Sequence, residues 1–462
     1  MQYRTEHDLL GTLDVPADVY WGIHTQRAKA NFVLTGEQVR PSLIRAIALV
    51  KKACCLANRE LGYLDEAQSN AVVTACDEIA GGGLSDQFPL DALQGGAGTS
   101  TNMNLNEVIA NRALELRGRA RGDGTYLHPL DHINLHQSTN DVYPTALKIA
   151  AIFGVRTLSR TIAGLQDAFQ QKEREFSGIV TIGRTEMMDA VPITLGAQFG
   201  SFAEACARDR WRAFKCEERL RTVTIGGTAV GTGLAAPRGF IFLAIEKLRA
   251  VTGLGLTRAE NPLDLTANAD PCAEVAGILA AHAANQIKIA GDLRLLHSLG
   301  EIVLPPVQAG SSMMPGKINP VVAEAAMSAG MQARMHCWLV NETASRGTLQ
   351  INEFMPLLAH HLLGAIELLT ASSRMMADHV EHITACPAVC REHAGRSTTL
   401  ITAFLPQLGY ERAQALVKEF AAGGAGDFRR FLESKLGAEC VASVLSPENI
   451  MALGYRPPAR TD

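Results

Sequence analysis

Apolar residues recur at three- and four-residue intervals over residues 40–62, 146–175, 192–221, 269–299, 321–345 and 354–384. This spacing lays one apolar stripe along an α-helix, so the segments predict long helices and a mainly α protein built around a helical bundle. Along Asp270 to Leu299, Val275, Ile278, Leu279, Ala283, Ile287 and Ile289 form a stripe broad enough that packing against a second copy of the chain is expected. Met and Leu stripes of this kind otherwise read as core. No repeat or low-complexity tract is evident, and the tail at Arg456-Pro457-Pro458 is expected to be loosely ordered.

Two breaks in the pattern bear on chemistry. Gly231-Thr232-Gly233 followed by Ala236 imitates part of a dinucleotide fingerprint. Pro237 stands where the crossover helix would begin and no strand-helix-strand rhythm surrounds it, so a turn-rich connection is the better reading. The stretch Gly310-Ser311-Ser312-Met313-Met314-Pro315-Gly316-Lys317-Ile318-Asn319-Pro320 places two hydroxyls, a cation and an amide in a loop punctuated by Gly and Pro, running into a helix at Val321. Such a loop suits an anion clamp with a proton-transfer group. A phosphate loop is disfavoured because five residues separate Gly310 from Gly316 and Ile318 replaces the metal-binding hydroxyl.

With 462 residues the chain exceeds what one compact core usually supports. Aromatics make up 5% of residues against 47% hydrophobic overall, which suits closely packed helices. A net charge of -4 supplies no basic footprint, so nucleic acid is not an expected partner and a small molecule is. The opening Met1-Gln2-Tyr3-Arg4-Thr5-Glu6-His7-Asp8 is polar, and no apolar run is long enough to span a bilayer, so the expectation is a cytoplasmic protein without a membrane partner. The ten cysteines are scattered and read as reduced, buried thiols. His379, His382, Cys386, Cys390 and His393 cluster in sequence, but their spacing fits no zinc template, and no metal is expected there.

Gly-Ser-Ser-x-Met-Pro-Gly-Lys-x-Asn-Pro at 310–320 resembles the signature loop of the fumarase/aspartase superfamily. Gly95-Gly96-Ala97-Gly98-Thr99-Ser100-Thr101-Asn102-Met103-Asn104, Gln137-Ser138-Thr139-Asn140-Asp141 and Gly183-Arg184-Thr185 are similar to its other site segments and occur in the family's order. The opening from Glu6-His7-Asp8-Leu9-Leu10-Gly11 to Val15-Pro16-Ala17-Asp18 resembles the aspartase branch. The resemblance implies a three-domain fold: an N-terminal domain (1–135), a central helical bundle carrying the catalytic loop (136–388) and a small C-terminal domain (389–462). It also implies a homotetramer with a multi-helix core and active sites shared between chains, acting on a dicarboxylate or amino acid.

By the same resemblance Ser311 is the base. Thr99, Ser138, Thr139 and Ser312 bind the β-carboxylate, Thr185, Lys317 and Asn319 hold the α-carboxylate, and Asn140 touches the amino group. The implied reaction is a carbon-nitrogen lyase's anti-elimination of ammonia from L-aspartate to fumarate through an aci-carboxylate. Hydrogen bonds and Lys317 stabilise the carbanion, so no cofactor is called for. A serine can act as base only as an alkoxide stabilised by backbone donors and nearby positive charge. For isolated Ser and Thr residues a cap or turn is the usual role. Asn102, Asn104, Asn106 and Asn111 read as caps and a buried polar network, and His128 and His132 as surface histidines.

Two departures stand out. Glu186 follows Gly183-Arg184-Thr185 where the family usually has His or Gln, and the position matched by Glu324 is a Glu in the hydratase branch, so two carboxylates are expected beside the leaving-group pocket. Two close carboxylates do not both ionise cheaply without a cation. The link from Asp292-Leu293-Arg294-Leu295-Leu296 to Glu301 is also shorter than in most relatives. The alternatives are therefore a lyase that adds a different amine to fumarate, a fumarate hydratase, and an inactive scaffold protein.

Overall fold

In the computed structural model the described residues are 2–424 and 426–455. The Arg456-Pro457-Pro458 tail lies outside them. The chain opens with an antiparallel hairpin of β1 (Tyr3–Asp8) and β2 (Gly11–Pro16), followed by α1 (Ile23–Asn31), α2 (Pro41–Glu60), α3 (Glu66–Ala80) and α4 (Thr99–Leu116). Next come α5 (Thr139–Glu175), a hairpin of β3 (Val180–Thr185) and β4 (Met188–Thr194), then α6 (Leu195–Leu220), α7 (Arg238–Thr252), α8 (Pro262–Ala267) and α9 (Asp270–Ser298). After the signature loop follow α10 (Val321–Ala344), α11 (Met355–Val380), α12 (Pro387–Arg396), α13 (Leu405–Ala422), α14 (Phe428–Leu436), α15 (Ala438–Val444) and α16 (Pro447–Ile450).

Contacts divide the chain into two units, one of residues 1–159, 211–283 and 331–369, the other of residues 160–210, 284–330 and 370–462. The division falls inside α5, α6, α9, α10 and α11. In the first unit, α2 turns Leu43, Ile47, Val50 and Cys54 inward and packs against α3 and α7. Asp65 and Gln68 close a capping box at the start of α3, each satisfying a backbone N–H of the other. No side chain of α1 itself caps that helix. Two carboxylates from elsewhere serve instead: Glu6 accepts from Ile23 N, and the buried Glu107 of α4 accepts from the N–H groups of Gly22, His24 and Thr25 and from the Thr25 hydroxyl.

The second unit holds an aromatic core in which Phe169, Phe176, Phe199 and Phe202 meet edge-on or tilted, with centroids 5.1–6.2 Å apart. Its C-terminal helices gather around Phe404, Phe428, Leu432 and Val441.

All the helices expected from periodicity are present, with shifted ends. α5 begins at Thr139 rather than 146 because Ser138 and Asp141 cap it there, and α11 ends at Val380 because Thr384–Ala385 pairs with Ile302–Val303. The stripe on α9 is largely buried within the chain, Val275, Leu279 and Ala283 completely or nearly so. Exposed apolar surface lies instead on α6, at Trp211 and Phe214, and on α10, at Met331, Met335 and Trp338. All ten cysteines are free thiols, and Cys54, Cys55, Cys76 and Cys390 are among those buried.

Candidate active site

The signature loop closes on itself at its base. Gly310 N donates to Lys317 O at 2.7 Å, Lys317 N to Met314 O at 3.3 Å, and the Asn319 amide to Gly310 O at 2.7 Å. A Cβ built on Gly310 would lie 2.7 Å from Lys317 O and 2.9 Å from Asn319 N, so only glycine fits. Inside this ring Ser311 Oγ accepts from two backbone donors, Met313 N at 3.1 Å and Met314 N at 2.8 Å. Donors placed so favour charge on the oxygen. Ser312 and Lys317 are exposed, and so are the apolar side chains of Met313, Met314 and Ile318. One N–H of Asn319 is therefore committed to the loop itself.

Upstream, the link from Leu296 to Glu301 is a single helix-terminating turn. Gly300, at φ +76°, allows Gly300 N to reach His297 O and Glu301 N to reach Leu296 O, the paired bonds of a Schellman motif. That turn buries Glu301 completely. Its Oε1 accepts from Arg184 Nη2 at 2.6 Å and lies 2.8 Å from His393 Nδ1. Burial alone would raise this carboxyl, but the Arg184 and His393 hydrogen bonds outweigh it and hold it below the usual range. Arg184 precedes Thr185, so the carboxylate before the loop anchors the strand that carries Thr185. His393, weighed above as a metal ligand, serves this network, and Cys390 is buried beside it, its thiol donating to the Glu301 carbonyl.

Thr185 and Glu186 are exposed at the tip of the β3–β4 hairpin. Thr185 pairs with Met188 across a two-residue loop in which both Glu186 (φ +53°) and Met187 (φ +67°) are left-handed. This is the type I′ geometry that Asn-Gly normally fills. Among the described residues Glu186 has no ion pair. Glu324, in the first turn of α10, faces the Arg294 guanidinium at 3.4 Å, so a cation already stands beside it.

The other candidate residues lie in the first unit. Thr99 opens α4, and its hydroxyl donates to Gly96 O at 2.8 Å. Ser138 caps α5, its Oγ accepting from Asn140 N at 3.2 Å and its N–H donating to Asp141 at 3.0 Å. Asp141 also accepts from Gly226 N and Thr228 N, so the glycine-rich turn at 226–233 braces the start of α5. Burial pushes the Asp141 carboxyl up to about 7 against those backbone donors. Thr139 Oγ1 accepts from Asn102 Nδ2 at 3.0 Å, and Asn140 Nδ2 donates to Ala229 O at 2.7 Å. Asn102, Asn104, Asn106 and Asn111 are interior helix residues rather than caps, with amides spent on Asn134, Gln87, Asn134 and Tyr20. His128 and His132 are partly exposed; their Nδ1 atoms accept backbone N–H bonds in the turn at Pro129–Ile133.

Sequence reasoning missed two supporting residues, Asn134 and Lys51. Lys51 carried a signal, because it lies on the buried stripe of α2 with Ile47, Cys54 and Cys55.

A helical chain carrying these four ordered segments has the makings of a lyase of dicarboxylates. The model of a lyase family matches residues 11–334. Aspartate ammonia-lyase of Pseudomonas aeruginosa is 42% identical over 459 residues, with 97% of each chain covered. Among solved structures, a fumarate lyase:delta crystallin from Brucella melitensis bound to cobalt superposes with a TM-score of 0.92 at 42% identity, covering 96% of this chain and 99% of that one. A class II fumarase from Schistosoma mansoni gives 0.91 at 30% identity over 98% and 100%. The chain belongs to the fumarase/aspartase family of lyases.

Proposed function

We propose that the protein is an ammonia-lyase that reversibly converts L-aspartate to fumarate and ammonia. The observation that carries this reading is the pair of backbone N–H groups on Ser311 Oγ, the environment a serine needs to act as alkoxide. The Ser311 oxygen takes the C3 proton, the electron pair moves into the β-carboxylate, and it returns to form the double bond as the C–N bond breaks and ammonia leaves. Thr99, Ser138, Thr139 and Ser312 bind the β-carboxylate as its charge grows, while Thr185, Lys317 and Asn319 hold the α-carboxylate and Asn140 the amino group. The reading includes a homotetramer of three-domain chains, divided at 1–135, 136–388 and 389–462, whose sites draw on neighbouring copies. Exposed Trp211, Phe214, Met331, Met335 and Trp338 support such association. The 42% identity to an aspartate ammonia-lyase favours ammonia over water as leaving group.

A second reading, a lyase for a larger amine, is favoured by Glu186, an exposed carboxylate at a hairpin tip beside Thr185 that has no ion pair among the described residues. Fumarate absorbance during incubation with L-aspartate, L-malate, or fumarate plus a panel of amines separates these readings. Fumarate release from L-aspartate is expected, and Ser311→Ala should lower it by at least about 1,000-fold while preserving the fold and substrate binding. Near-normal turnover by that variant removes Ser311 as base. Turnover of malate alone makes the protein a hydratase, and consumption of fumarate only with a larger amine establishes the second reading.

A further inference from the structure

Beneath the Gln137-Ser138-Thr139-Asn140 segment lies a cation that the mechanism above does not use. Lys51, in the middle of α2, is 1% exposed. Its ammonium donates to two neutral amide oxygens, Asn134 Oδ1 and Gln137 Oε1, each at 2.9 Å. Among the described residues no carboxylate forms an ion pair with it. The acid facing it, Asp141, already accepts the N–H groups of Ser138, Gly226 and Thr228. The neighbouring thiols of Cys54 and Cys76 are buried and pushed up, so they stay neutral. A buried charge held only by neutral hydrogen-bond partners is costly, and strongly perturbed buried groups of this kind cluster at functional sites.

Its contacts lead to the candidate anion site by two short routes. Gln137, held by Lys51, also donates to Ile133 O and Leu135 O, which fixes the backbone just before Ser138. Asn134 Oδ1 accepts from Lys51, from Asn102 Nδ2 at 3.1 Å and from Asn106 Nδ2 at 3.2 Å, and Asn102 in turn donates to Thr139 Oγ1. The lysine therefore orients both hydroxyl residues and places a full positive charge behind them, in surroundings that screen it poorly.

We propose that Lys51 is a positioning residue of the elimination, whose buried charge, acting through Gln137, Asn134 and Asn102, stabilises the β-carboxylate as it becomes dianionic in the transition state. This rests on the assignment of Ser138 and Thr139 to the β-carboxylate. A charge acting in this way discriminates between ligands: it favours the dianionic carbanion far more than the ground-state dicarboxylate. Burial lowers the Lys51 ammonium to about 8, with the nearby Asp141 carboxyl opposing, so it is mostly charged at neutral pH.

The test compares wild type, Lys51→Gln and Lys51→Met in binding two probes: succinate, for the ground state, and the nitronate of 3-nitropropionate, whose delocalised anion mimics the aci-carboxylate. Glutamine keeps a hydrogen-bond donor and loses the charge. Expected is about 30-fold weaker nitronate binding by Lys51→Gln, succinate affinity within about 3-fold, and a kcat loss matching the nitronate loss with KM nearly unchanged. Should Lys51→Met fail to fold, Lys51→Gln alone decides. Equal losses for both probes, or wild-type nitronate binding by Lys51→Gln, overturn the proposal and leave the assignment of function standing. A wild type that binds no nitronate and turns over none of the substrates overturns both.

Discussion

At the scale of single residues, the signature loop depends on backbone economy more than on side chains. Gly310 approaches Lys317 and Asn319 so closely that any Cβ must displace one of them, and that ring presents Met313 N and Met314 N to Ser311. Gly310→Ala should therefore lower turnover by about 100-fold with a melting temperature near that of wild type, since the loop is exposed and contributes little core. Turnover near wild type would show that the ring does not position Ser311. The hydroxyls of Ser138 and Thr99 act in turns, Ser138 as a cap. These conformational duties accompany the catalytic ones assigned to them, because the same turn that exposes backbone N–H groups gives an anion its donors.

At the scale of elements, the β3–β4 hairpin carries two consecutive non-glycine residues with positive φ at its tip. Glu186 and Met187 both occupy the left-handed region that favours Asn and Gly. Replacing the pair by Asn-Gly should stabilise the protein by about 1 kcal/mol in denaturant unfolding, whereas Glu186→Gln should leave stability unchanged. If Glu186 sets the amine preference, both changes alter the ratio of turnover with ammonia to turnover with larger amines. An unaltered ratio in both assigns the carboxylate to the surface. The hairpin tolerates its strained tip because Arg184, just behind it, is held by buried Glu301, which His393 also contacts.

At the scale of the molecule, a histidine cluster in the first unit should contribute sensitivity to acid. His336 Nδ1 and His361 Nδ1 lie 2.6 Å apart, so one ring must donate and the other accept; His360, Arg40 and Glu37 surround them. Burial lowers His361 to about 4, with repulsion from His336 and His360 when they are protonated and from Arg40 adding to the effect. The unfolded chain therefore takes up a proton near its ordinary value of about 6.5 while the folded one does not. Stability present above that pH is lost as pH falls from 6.5 toward 4. His361→Gln should reduce the fall in unfolding free energy over this window by about 1 kcal/mol after solvent screening of the half-buried ring. An identical pH dependence in the variant would locate the acid sensitivity elsewhere.

Helix type and approximate extent were determined by the sequence, since an apolar stripe every three or four residues has one economical burial. The candidate site segments stood out through their resemblance to a family's motifs, and the Gly and Pro of the 310–320 stretch marked it as a loop because they constrain a backbone locally. Tertiary structure alone decided that two amides of the loop point at Ser311, that the link before it ends in a turn burying Glu301, that Glu324 stands beside Arg294, and that Lys51 lies buried behind Gln137 with no ion pair among the described residues. Each of those depends on which distant groups share a low-dielectric space, and hydrophobic periodicity carries no information about charge partners far apart in the chain.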